Sequence, residues 1–99
     1  MNCNVSVTIE TGCPKYPKAT ATYIGTNIAR FWHDPFLRKA VADATKVAGT
    51  DKDTFDYCNF LFSYVDNAIR RRYGGRELEV ESVTVIDEVG QSSVTSFKQ

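Results

Sequence analysis

Ninety-nine residues, 42% apolar and 24% charged, describe one small globular domain spanning residues 1–99 with a single modest core, and exclude a disordered chain. Twelve basic and twelve acidic residues cancel, so no overall field draws the chain to nucleic acid or an anionic membrane. No apolar run approaches the roughly 20 residues that span a bilayer, and the N-terminus, MNCNVSVTIE, lacks the basic and continuous apolar parts of a signal peptide.

Residues 3–10 alternate cleanly, with Cys3, Val5, Val7 and Ile9 opposite Asn4, Ser6, Thr8 and Glu10, which predicts a half-buried strand. Gly12, Pro14 and Pro17 break the pattern. Residues 18–24 then alternate again, Ala19, Ala21 and Tyr23 against Thr20, Thr22 and Ile24, and are expected to pair antiparallel with the first strand. After Gly25-Thr26-Asn27, a short helical turn is expected over 28–32. Asp34 suits an N-cap and Pro35 the first helical position of a helix running to about Ala48. Its apolar stripe is Phe36, Leu37, Ala40, Val41, Ala44 and Val47, and Gly49 ends it.

Residues 51–75 form the longest patterned run. Phe55, Cys58, Phe62, Val65 and Ile69 recur at helical spacing, widened by Leu61 and Ala68, with Thr50 or Asp51 as cap. Asp51, Asp53 and Asp56 sit at the positive end of the helix dipole, and Arg70, Arg71 and Arg72 at the negative end. Beyond Gly74-Gly75, Leu78 and Val80 alternate with Glu77, Glu79 and Glu81, but from Ser82 the apolar phase moves to Val83 and Val85. That slip predicts a β-bulge or bend, or else two segments, 77–81 and 83–89. Gly90–Ser93 reads as a turn and Val94–Phe97 as a short final strand. The resulting fold class is α+β: an antiparallel sheet, made of an N-terminal hairpin plus a C-terminal strand or hairpin, packed against an antiparallel pair of helices in the order β-β-α-α-β(-β).

Four features bear on function. Arg70, Arg71, Arg72, Tyr73 and Arg76 form a basic cluster that can fork onto phosphates or carboxylates, with Tyr73 available to stack. The same arginines also complement the helix dipole, and three consecutive residues splay around a helix. Arg30 and Trp32, within RFWHDPF, are residue types that anchor interfaces. His33-Asp34 offers an acid–base pair only on paper, because neighbours in sequence rarely face one substrate and no nucleophile is paired with them.

Tyr57, Phe60 and Tyr64 add a second apolar face to the long helix, which is expected to be covered by the sheet or by a second copy in a homodimer. Glu77, Glu79 and Glu81 line one side of a strand, where they can meet a cation or, more simply, solvent. Cys3, Cys13 and Cys58 are three thiols without metal-type spacing and with a single His33, so no cofactor, zinc site or Cys3–Cys13 bridge is implied, and a reduced, cytoplasmic protein is expected.

No P-loop, GxSxG, HExxH, dinucleotide fingerprint or CxxC is present. The chain is therefore expected to be a small non-enzymatic protein-interaction or inhibitor module, homodimeric and without membrane attachment. Its look is that of accessory products of phages and mobile elements. The alternative is a binder of an anionic ligand, nucleic acid or a nucleotide signal, through the arginines with aromatic stacking.

Overall fold

The computed structural model describes residues 3–25, 35–49, 53–73 and 78–96. The expected elements at Arg30, Trp32, His33, Asp34, Gly74, Gly75, Arg76, Glu77 and Phe97 lie outside them. Strands β1 (Cys3–Glu10) and β2 (Lys18–Gly25) are followed by helices α1 (Pro35–Ala48) and α2 (Thr54–Tyr73), then strands β3 (Glu79–Ile86) and β4 (Ser92–Ser96). One antiparallel sheet has the order β1-β2-β3-β4. The helix pair is thus inserted between two neighbouring strands and folds back over one face of the sheet, α1 above β1 and β2, α2 above β3 and β4.

Strand alternation sets the two faces. Val5, Ile9, Ala19, Ala21, Tyr23, Val80, Val83 and Val85 are buried under the helices. The opposite face is a hydroxyl surface, in which Ser6 bonds Thr22 at 3.1 Å and Thr8 bonds Thr20 at 2.8 Å across the strands. Small Ala19 and Ala21 let the helices approach, and Tyr23 fills the space beneath α1, its hydroxyl donating to the Leu37 carbonyl at 3.3 Å. The phase slip in β3 is a bulge. Thr22 pairs with Ser82 and Tyr23 with Val80, so Glu81 is the extra residue that lets both Val80 and Val83 face inward.

Several boundaries and faces differ from the sequence pattern. The long helix begins at Thr54, and its cap is Asp53, not Thr50 or Asp51: the Asp53 carboxylate accepts the Asp56 amide at 2.8 Å. The tight turn after β3 spans Asp87–Gln91, where the Asp87 carboxylate accepts the amides of Val89 and Gln91. Strand β3 therefore stops at Ile86, short of residue 89, and β4 starts two residues before Val94.

Val47, expected in the core, is 58% exposed, because the buried stripe of α1 runs through Leu37, Ala40, Val41, Ala44, Thr45 and Ala48. Phe55 is 67% exposed and Phe62 half-buried, since α2 is rotated so that Tyr57, Cys58, Leu61, Val65 and Ile69 face inward. Tyr57, expected to be covered by the sheet or by a second copy, belongs to this chain's own core. It is 0% exposed and stacks on Tyr16 of the β1–β2 loop with ring centroids 4.4 Å apart.

Candidate functional site

Two antiparallel helices leave a groove on the side away from the sheet, and helical spacing decides what lines it. From α1 come Phe36, Lys39, Ala40 and Asp43, spaced i, i+3, i+4, i+7; from α2 come Tyr64, Ala68, Arg71 and Arg72. The groove holds about 580 Å³. Ala40 and Ala68, too short to fill the space between the helices, make its floor. A second hollow of about 180 Å³ continues over α2 and shares Tyr64, Ala68 and Arg71, adding Asn67.

The end at the α2 C-terminus is cationic and aromatic. The Phe36 and Tyr73 rings meet edge-on at 5.9 Å, and the Arg72 guanidinium lies 4.8 Å from the Phe36 centroid and 5.7 Å from that of Tyr73. This cation–π contact steadies Arg72 without neutralising it. Arg71 is exposed and has no carboxylate partner among the described residues. At the other end Phe60 and Tyr64 stack at 6.2 Å, both half-buried. Lys39 is held by Asp43 at 3.2 Å, so the groove also contains one negative charge.

The basic cluster therefore divides. Arg70 lies on the flank of α2 turned away from α1, where it bonds Asp66 at 2.9 Å. Arg71, Arg72 and Tyr73 converge on the groove, as does Tyr64 from the expected apolar face, with Phe60 at its end. Arg76, Arg30 and Trp32 lie outside the described residues. Lys39, Ala40, Asp43 and Ala68 had no functional reading in the sequence, and Phe36 only as the last residue of RFWHDPF. Their signal was the i, i+3, i+4, i+7 face at 36–43, which becomes meaningful only once α1 is known to lie antiparallel to α2.

Elsewhere, the core near the β1–β2 loop gathers Cys13, Tyr16, Tyr57 and Cys58, all buried. The Tyr57 hydroxyl is buried with no hydrogen-bond partner among the described residues. Burial pushes its ionisation up to about 12, and the neighbouring Cys13, Tyr16 and Cys58 act in the same direction. Burial also raises the Cys58 thiol and, further, the Tyr23 phenol. Among the described residues no three His, Cys, Asp or Glu side chains gather as metal ligands, and no helix is long and apolar enough to cross a membrane.

By fold, the chain is an α+β protein with a two-helix layer on one face of a four-stranded antiparallel meander. No protein-family model, curated protein or solved structure matches it.

Proposed function

We propose that this protein is a non-enzymatic interaction module whose docking surface is the α1–α2 groove, and that it takes an acidic segment of a partner protein. The observation that carries the reading is the convergence of Arg71 and Arg72 with Phe36, Tyr64 and Tyr73 around an alanine floor. An apolar anchor fits the floor, and carboxylates on the same segment meet the two guanidiniums in forked hydrogen bonds. The lining residues advance two helical turns along each helix, about 10 Å, which suits a helical segment laid between them.

A nucleic acid is a poorer fit. Asp43 stands in the groove, Arg70 is committed to Asp66, and the chain has no net charge to attract a polyanion.

Selection from a displayed library of randomised helical peptides tests this reading. Enriched peptides are expected to combine a Leu or Phe with two or more carboxylates, and Arg71→Glu is expected to weaken them at least about tenfold, near 1.4 kcal/mol. Enrichment without an acidic bias, or indifference to Arg71→Glu, refutes it. Tight, steeply salt-dependent binding of a single-stranded oligonucleotide would put the anionic-ligand reading in its place.

A further inference from the structure

The two edges of the sheet are treated differently by this chain. In the β1–β2 pair the Thr11 amide bonds the Pro17 carbonyl, so odd-numbered residues of β1 bond inward and Asn4, Ser6, Thr8 and Glu10 turn their backbone groups to the free edge. That edge is guarded: Arg38 of α1 places Nη1 3.3 Å from the Thr8 carbonyl oxygen and a positive charge over the strand.

At the other edge the Asp87 amide bonds the Gln91 carbonyl, in register with Val85–Ser93 and Val83–Thr95. Ser92, Val94 and Ser96 therefore present their backbone groups outward. No charged residue and no proline interrupts SSVTS, the usual devices that blunt an edge.

This side of the molecule also carries most of the large apolar side chains that the described residues expose. Val94 is 64% exposed on the open face of the sheet and Val89 81% exposed in the adjoining turn. Phe55 lies on the flank of α2 turned away from α1, one helical turn before Cys58, whose Sγ lies 3.9 Å from the Ser93 carbonyl oxygen. These are three of the four large apolar side chains that the described residues expose, the fourth being Val47 on α1. Half-buried Phe62 lies on the same flank of α2.

The strand is nearly symmetric about its centre. Read from either end of SSVTS, a serine comes first, a small hydroxyl residue second and Val94 third. Paired antiparallel with a copy of itself about Val94, it sets Val94 against Val94, Ser92 against Ser96 and Ser93 against Thr95. The hydroxyl pairs repeat those already formed between β1 and β2. The outward residues fall into hydrogen-bonded positions, giving about six backbone bonds from three pairs. No like charges meet on the strands.

We propose that β4 is a self-association edge: two copies of this chain join antiparallel through Ser92–Ser96 about a two-fold axis at Val94, forming one eight-stranded sheet with all four helices on one face. The joint covers Val94 on the open side and brings the Phe55 and Phe62 flanks of the two α2 helices together above it. The contact is distinct from Tyr57, Phe60 and Tyr64, and it does not depend on the groove.

Light scattering coupled to gel filtration, from micromolar to millimolar protein, tests it. The expected mass approaches twice 11.1 kDa at the upper end. Val94→Lys, which sets two ammonium groups on the axis, is expected to return 11.1 kDa with an unchanged circular dichroism spectrum. In a Cys3→Ser background, Val94→Cys is expected to give a disulfide-linked dimer under mild oxidation, whereas Ser92→Cys, placed opposite Ser96, is not. A monomer throughout the range, a dimer that survives Val94→Lys, or equal cross-linking at 92 and 94 overturns the proposal. If Val94→Lys fails to fold, the cross-linking pair decides alone.

Discussion

Tyr57 shows how much one misplaced hydroxyl matters at the scale of a residue. Its ring supplies core packing and a stack on Tyr16, but its oxygen is buried without a partner among the described residues. A buried hydroxyl in that state costs roughly 1–3 kcal/mol. Tyr57→Phe keeps the ring and removes the cost, so thermal unfolding is expected to move upward, by about 5 °C per kcal/mol for a domain of this size. The pH dependence carries a second signature. With a folded ionisation near 12 against 10.0 when exposed, the unfolded state sheds its proton first as pH rises. Stability is therefore whole below pH 10 and is lost from there toward pH 12, at up to about 1.4 kcal/mol per pH unit for this one group. Tyr23 and Cys58 act in the same direction. Urea titrations at several alkaline pH values should give Tyr57→Phe a shallower decline than the wild type. A variant less stable at neutral pH, with the same alkaline slope, would mean that the hydroxyl is satisfied after all.

At the scale of an element, the bulge in β3 separates what periodicity encodes from what it leaves open. Deleting Glu81 restores plain alternation, because Thr22–Ser82 and Tyr23–Val80 are already successive pairs along β2. The fold is expected to survive with little loss of stability. Deleting Thr84 instead makes Val83 and Val85 neighbours, turns one of them out to solvent and is expected to cost several kcal/mol or abolish folding. Equal damage from the two deletions, measured by denaturant midpoint, would mean that the bulge itself is structurally required. The slip was readable in the sequence because two clean alternations of opposite phase abut at Glu81-Ser82. The strand–strand–helix–helix–strand order was readable for the same reason, along with Pro35 as the first residue of α1 and Gly49, at φ 74°, after it. The rotation of α2 was not. A stripe through Phe55, Cys58 and Phe62 and one through Tyr57, Cys58 and Leu61 both satisfy a period of 3.6, and they differ by less than a third of a turn. The position of Tyr16, on a loop 41 residues before Tyr57 in the chain, selects the second. The groove was half legible: the arginines and Tyr64 declared themselves by type, but their opposite wall on α1 is set by helix pairing, which no local pattern contains.

At the scale of the whole molecule, the groove and the β4 edge constrain each other. Pairing two antiparallel edges places the two-fold axis perpendicular to the sheet, so both helix pairs, and both grooves, face the same way. Each groove lies above the β2–β3 boundary, two strand spacings from the axis, which separates the two by four spacings, roughly 20 Å. A protein with two acidic segments can then occupy both at once, with the second binding step intramolecular. Two copies of a groove-binding peptide joined by a flexible Gly/Ser linker of about 15 residues span that distance at its root-mean-square length. Such a tandem peptide is expected to bind about 10²–10⁴-fold tighter than the single one. A tandem with a two-residue linker should gain nothing. Val94→Lys should erase the gain and leave single-peptide affinity intact, whereas Arg71→Glu should weaken both. Titration calorimetry with the four combinations separates the two proposals. A gain that persists in Val94→Lys breaks the link between assembly and the β4 edge, and single-peptide binding that ignores Arg71→Glu removes the groove instead.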